Sequence, residues 1–76
     1  MYIKDAIEFA LNEDLERTVV ANKLGISRAM LSHYLNRDNT PRLDVAAKLW
    51  GEYGIVVEPF TERAVIKQWT ELNNGA

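Results

Sequence analysis

The sequence predicts an all-α fold, a small bundle of about five helices with room for one short strand near 55–58. Apolar residues recur at spacings of three and four along most of the chain, which is the period of amphipathic helices. Glycine, proline and small polar residues interrupt this period at 25–27, 36–41 and 59–61, where turns and helix caps are expected. With 76 residues, of which 47% are hydrophobic and 26% charged, the chain has room for one domain.

The helical period predicts helices over about 2–12, 17–24, 27–35, 42–53 and 62–72. Turn and capping residues mark their ends. Gly25 suits a left-handed cap at the end of the second helix, and Ser27 can cap the third with its hydroxyl. Thr40 followed by Pro41 fits a cap and first turn for the fourth helix, and Thr61 can cap the fifth. The third helix is expected to bury Met30, Leu31, Tyr34 and Leu35.

Composition argues against several classes of function. The chain has no cysteine, a single histidine, His33, and no glycine-rich phosphate loop, so we expect no catalytic activity, no metal and no cofactor. It also shows no long apolar run and no signal-peptide pattern, which predicts a cytoplasmic protein without membrane contact. One small domain leaves no space for a separate effector domain, so no small-molecule effector is expected.

Charge is distributed unevenly along the chain. The total of 9 basic and 11 acidic residues, net −2, by itself disfavours a nucleic-acid partner. However, residues 17–48 contain six basic and two acidic residues, net +4, whereas 1–16 has one basic and five acidic residues, net −4. Residues 49–76 contain two basic and four acidic residues, net −2. The middle of the chain is therefore a basic segment between acidic flanks.

Two predicted helices joined by a tight glycine turn over 17–36 match a DNA-reading helix-turn-helix unit. Ala21 is the small residue where the helices approach each other, Gly25 is the turn, and the apolar positions that fix the helix angle are Val20, Leu24, Ile26, Leu31 and Tyr34. The stretch from Thr18 to Asn36, followed by the loop Arg37 to Pro41, resembles the Cro and lambda-repressor-like (XRE-type) helix-turn-helix family. The chain departs from the family pattern at Glu16, Arg17 and Arg42.

The resemblance covers about residues 1–53. It implies a transcriptional regulator of a phage or mobile element that binds DNA in a bacterial cell, on the nucleoid when bound. It also implies a homodimer that reads a pseudo-palindromic operator in double-stranded DNA. Repression and activation both stay open.

Once the core positions are removed, the outward face of the third helix consists of polar and small residues. Arginine can bond guanine with two hydrogen bonds, asparagine can pair with adenine, and alanine can touch a thymine methyl group. The predicted base-reading residues are Arg28, Ala29, Ser32, His33 and Asn36. Phosphate contacts are expected from cations, from small polar side chains and from a helix N-terminus. These candidates are Arg17, Lys23, Ser27, Arg37, Asn39, Thr40 and Arg42.

The remainder, 54–76, is predicted to join two subunits, either by strand pairing at 55–60 or by packing of the last helix. The predicted dimer contacts are Ile55, Val57, Val65, Ile66, Trp69 and Leu72. An alternative hypothesis is a protein-interaction adaptor, of antitoxin or antirepressor type, that keeps the helix-turn-helix scaffold without DNA affinity. The net acidity favours this alternative, whereas the basic middle segment favours DNA binding.

Overall fold

The computed structural model describes residues 1–37 and 39–74, and these form five α-helices. The helices are α1 (Ile3–Asp14), α2 (Arg17–Leu24), α3 (Arg28–Asn36), α4 (Leu43–Tyr53) and α5 (Glu62–Asn74). The predicted all-α class and the number of helices are confirmed. No described helix is long and apolar enough to cross a bilayer.

Four of the helices share one core. α1 packs against α2, α3 and α4, while α2 also contacts α3 and α4. The side chains at the centre of this core are fully buried; the largest are Ile7, Leu24, Leu31 and Leu49. Among the described helices, α5 contacts only α4, and Val65 is its buried anchor. The positions of α2 and α3 are therefore fixed by their packing against the other helices of this core.

The strand considered near 55–58 is absent from the described ranges. Ile55 and Val57 instead point their side chains into the core, with 6% and 0% exposure. The backbone N–H of Glu58 donates to the carbonyl of Met1 at 2.8 Å. This extended segment links α4 to α5 and covers one side of the core. Its apolar side chains are thereby buried although the segment pairs with no other strand.

Most of the predicted caps are confirmed. Gly25 ends α2 with φ of 68°, the Ser27 hydroxyl accepts from the Met30 N–H at 3.1 Å, and the Thr61 hydroxyl accepts from the Ala64 N–H at 3.2 Å. These bonds satisfy amide groups that a helix start leaves without partners.

The cap predicted at Thr40 is wrong. α4 begins at Leu43, and Arg42 lies at the N-cap without a side-chain capping bond. The reason is local, since the Asp44 carboxylate accepts from the N–H of Val45 at 3.0 Å. An acidic residue within the first turn thereby accepts from an amide that the helix start leaves without a backbone partner, and it also suits the positive end of the helix dipole.

Met30 also differs from the prediction, which placed it in the core. It is 42% exposed, whereas Leu31 and Tyr34 are buried and Leu35 is half-buried. α3 packs against α1 and α2 through the side that contains Leu31 and Tyr34. Met30 therefore lies at the edge of the packed face, in a shallow depression beside Ser27.

Candidate nucleic-acid interface

The turn between α2 and α3 fixes the angle at which α3 leaves the bundle. Gly25 occupies the left-handed region, and the N–H of Ile26 donates to the carbonyl of Ala21 at 3.0 Å. A β-carbon built on Gly25 would overlap the ammonium of Lys48. The Lys48 side chain is flexible and can move away, so it is the left-handed backbone conformation that favours glycine between the two helices.

α3 is divided lengthwise into a buried and an exposed face. Leu31 and Tyr34 are buried on one side. On the other side four of the five predicted base-reading residues are exposed and the fifth, Ser32, is half-buried; the exposed four are Arg28, Ala29, His33 and Asn36. The predicted residues thus lie together on the solvent side of one helix, which we call the α3 outer face.

Arg17 reaches the α3 outer face from the first position of α2. Its guanidinium donates to the Ser32 hydroxyl at 3.2 Å, a bond across 15 residues of sequence. Guanidinium carries five donors, so most of them stay available when one is used for Ser32. The sequence placed both residues among DNA contacts, but the hydrogen bond between them follows only from the helix crossing.

The loop after α3 also reaches the α3 outer face. The Asn39 side-chain nitrogen lies 2.7 Å from Nε2 of His33. Asn39 was predicted as a phosphate contact, yet in the free protein its amide is engaged by the histidine. Arg37 and Thr40 from the same loop are exposed. Arg42 is 81% exposed at the side chain, and its Nε lies 3.4 Å from the Asp44 carboxylate.

Lys23 is not placed as predicted. Its ammonium lies 3.0 Å from the Asp14 carboxylate and 5.5 Å from the centre of the Tyr53 ring. An ion pair and a cation–π contact together hold it in a depression that also contains Glu13 and Glu52. Surrounded by carboxylates, Lys23 is a poor phosphate ligand, and we remove it from the candidate interface.

Asp14 and Tyr53 form a side-chain hydrogen bond between α1 and α4. The Tyr53 hydroxyl donates to the Asp14 carboxylate at 2.5 Å. This hydrogen bond, followed by that from Lys23, lowers the pKa of Asp14 below its usual value. Burial, with the nearby Asp14 charge, raises the pKa of Tyr53. Asp14 thus links three helices, whereas the sequence indicated only an excess of acidic residues over 1–16.

Three of the predicted dimer contacts are wrong. Ile55, Val57 and Val65 are 6%, 0% and 0% exposed, because they fill the core of a single chain. Of the other three, Ile66 and Trp69 are half-buried, and Leu72 is exposed. What remains of the predicted contact is a narrow apolar strip on α5.

Comparison with known proteins identifies no relative: no family model, no curated protein and no solved structure matches the chain. The resemblance to the Cro and lambda-repressor-like family therefore remains a prediction from the residues of the helix-turn-helix stretch. Any functional conclusion depends on the chain's own geometry and chemistry.

Proposed function

We propose that the protein is a sequence-specific DNA-binding transcriptional regulator that inserts α3 into the major groove. The observation that carries the proposal is the α3 outer face. Its five predicted base-reading residues share the outer side of a helix that packs against α1 and α2. A helix of this kind fits the width of the major groove.

The α3 outer face has the chemistry for reading base pairs. Arg28, in the first turn of α3, can form two hydrogen bonds with guanine O6 and N7. Asn36 at the other end can pair with adenine, and Ala29 suits a thymine methyl group. Arg28 is exposed and forms no ion pair within the described residues. Its guanidinium is therefore ready for a base edge.

Cations around the α3 outer face suit the phosphates on both sides of the groove. Arg17 begins α2, Arg37 follows the end of α3, and Arg42 precedes α4. All three are exposed. Contacts to phosphates position a protein on the duplex without reading its sequence. In the proposal, these arginines contribute affinity for any duplex, and the α3 outer face contributes specificity for a base sequence.

The proposal includes a homodimer on a two-fold symmetric operator. One molecule measures 29 × 24 × 19 Å. Half-sites one helical turn apart are about 34 Å from centre to centre, so two molecules of this size fit side by side on one face of the duplex. The apolar strip on α5 consists of Ile66 and Leu72, on either side of Trp69, and is the surface we assign to the subunit contact.

The subunit contact is tested with Leu72→Glu, which places a charge on the strip but spares the buried Val65. Sedimentation equilibrium should show a weaker dimer, while circular dichroism retains the helical signal. The matched control is Asn74→Glu, which adds the same charge at an exposed position at the end of the same helix. A variant that dimerises like the wild type would exclude this strip.

The experiment that tests the function is selection of bound duplexes from a random library, followed by mobility-shift titration. We expect a pseudo-palindromic site. Arg28→Ala should weaken binding by about 1–3 kcal/mol and relax preference at one base position, whereas Arg42→Ala should weaken all sequences alike. Lys4→Ala, which removes a charge on α1 outside the proposed interface, should bind as the wild type does.

Failure to select any duplex would contradict the proposal. It would favour the alternative of an adaptor that keeps the scaffold and binds protein, which the net charge of −2 permits. An adaptor does not need guanidinium groups on α3, so Arg28→Ala would then leave its activity intact. The same variant therefore separates the two hypotheses.

A further inference from the structure

We infer that Asn39 fixes the tautomer and orientation of His33, so that the imidazole offers DNA a hydrogen-bond donor, Nδ1–H. The inference rests on the proposed DNA-binding function and adds a specificity rule to it. Its basis is the 2.7 Å contact between the Asn39 amide nitrogen and His33 Nε2. Asn39 is thus a positioning residue, and His33 is the residue that reads the base.

The tautomer follows from the inventory of donors and acceptors. An amide nitrogen only donates, so the ring nitrogen that faces it must accept. A neutral imidazole with an accepting Nε2 carries its proton on Nδ1. No hydrogen bond joins Nδ1 to any described residue, and His33 is exposed. The proton on Nδ1 is therefore available to a ligand outside the chain.

Packing behind Asn39 gives the contact a fixed geometry. Asn39 is half-buried, and Pro41 two residues later is buried. Asn39 and Thr40 also line a depression with Tyr2, Ile3 and Pro59. The amide therefore approaches α3 from a segment that is seated on the body of the protein. A neighbour that holds a histidine ring in this way sets which nitrogen bears the proton.

The consequence for recognition is a restriction on the base. A donor in the major groove pairs with guanine O6 or N7, adenine N7 or thymine O4. It meets another donor at the cytosine amine, which costs binding free energy because neither group is satisfied. His33 should therefore select an acceptor edge at its position, and this selection should depend on a residue outside α3.

The first test needs no DNA. His33 is the single histidine, so one long-range ¹H–¹⁵N spectrum at alkaline pH reports its tautomer directly. We expect Nδ1–H in the wild type. Asn39→Asp keeps the size of the side chain but turns the donor into an acceptor, so the proton should move to Nε2. Asn39→Ala should give a mixture of the two tautomers. The control Asn12→Ala, at an exposed position on α1, should match the wild type.

The second test is a double-mutant cycle on the selected operator. Asn39→Ala should reduce discrimination at one base pair by roughly 2- to 10-fold, the range for a single hydrogen bond, and should have no further effect in a His33→Ala background. An effect that persists there would show that Asn39 contacts phosphate itself and would overturn the inference. So would a wild-type spectrum with Nε2–H, or one that Asn39→Asp leaves unchanged.

The spectroscopic test and the DNA-binding test together distinguish failure of this inference from failure of the proposed function. If no duplex is selected but the spectra behave as expected, the DNA-binding proposal fails and the Asn39–His33 geometry stands. If DNA binds through the α3 outer face but the tautomer is independent of Asn39, the inference alone fails.

Discussion

Leu15 adopts a backbone conformation that its type disfavours. It is the one non-glycine residue with positive φ, 63°, among the described residues, and it is 82% exposed at the end of α1. A left-handed conformation costs about 1–2 kcal/mol for an L-residue with a β-carbon. No core packing offsets this cost, because the side chain lies in solvent.

Replacing Leu15 with glycine should therefore stabilise the protein. The strain relieved exceeds the about 0.4–1 kcal/mol that glycine adds to the entropy of the unfolded chain, so the expected gain is about 0.5–1 kcal/mol. Urea unfolding followed by circular dichroism measures it. Leu15→Ala is the control: it retains the β-carbon and should give no comparable gain. Equal stability of both variants would show that strain at this position is unimportant.

Tyr53 and Asp14 make the protein sensitive to pH at both extremes. The pKa of Asp14 is lowered in the folded state, so its ionised form stabilises the fold above the usual value of 3.8, and this stability is lost as pH falls below that value. The pKa of Tyr53 is raised, so the neutral phenol stabilises the fold up to its usual value of 10.0, and this stability is lost at higher pH.

Tyr53→Phe should lower the melting temperature at pH 7. It should also reduce the loss of stability at low pH and the loss of stability at high pH. It removes the hydrogen bond that is the largest cause of the lowered Asp14 pKa, so variant and wild type should converge as the pH falls below about 4. They should also converge above about pH 10. Thermal melts across pH give the comparison, with Tyr2→Phe, at an exposed residue, as control. A constant gap at all pH values would refute the assignment.

The α4–α5 contact depends on a missing side chain. Gly51 lies within α4, and a β-carbon built there would overlap the ring of Trp69 on α5. From the sequence, Gly51 is expected to weaken the end of α4. In the structure it creates the space in which the indole packs, so an unfavourable residue for the helix is favourable for the contact between helices.

Gly51→Ala should destabilise the protein although alanine is the better helix former. The gain in helix propensity is about 1 kcal/mol, and displacement of a packed ring costs about 1–3 kcal/mol. Chemical unfolding should show a net loss. In a Trp69→Ala background the clash is absent, and the same change should be neutral or stabilising. A destabilisation of equal size in both backgrounds would contradict a role for the indole.

Periodicity and capping residues predicted the five helices because both signals are local. Ser27, Gly25 and Thr61 act within four residues of sequence, and the structure confirms them as caps. The start of α4 was missed because Asp44, within the first turn, accepts from the Val45 N–H in place of a cap at Thr40. The exposure of Met30 was missed because it depends on how α3 packs against the other helices. The burial of Ile55 and Val57 was missed for the same reason, since a short apolar run fits a strand, an interface or a core segment equally well.

The candidate interface was partly predictable for a similar reason. Helical spacing alone places Arg28, Ser32 and His33 on one side of α3. The bonds from Arg17 to Ser32 and from Asn39 to His33 join residues 15 and 6 positions apart. The first depends on the angle between α2 and α3, and the second on the path of the loop that follows α3. The ion pair between Lys23 and Asp14 could not be predicted from the distribution of charges along the chain, because it too depends on a tertiary contact.

Viewed as one molecule, the chain separates its basic and acidic residues by segment. The basic segment 17–48 contains α2, α3 and the start of α4, whereas the acidic residues concentrate in α1 and after residue 48. If the protein binds DNA as we propose, a net charge of −2 should keep long-range attraction to the duplex weak, so that affinity depends on the arginines in direct contact. Under the same proposal, this arrangement should favour specific over non-specific complexes.

The salt dependence of binding to the selected duplex tests the DNA-binding proposal most directly. Three arginines per subunit, Arg17, Arg37 and Arg42, give about six phosphate contacts in a dimer, so log K should fall against log salt with a slope of about −5. Arg42→Ala should reduce the slope by about 2, and Lys4→Ala should not change it. A slope near zero for the wild type would contradict the proposal that this protein binds DNA through α3 and its surrounding arginines.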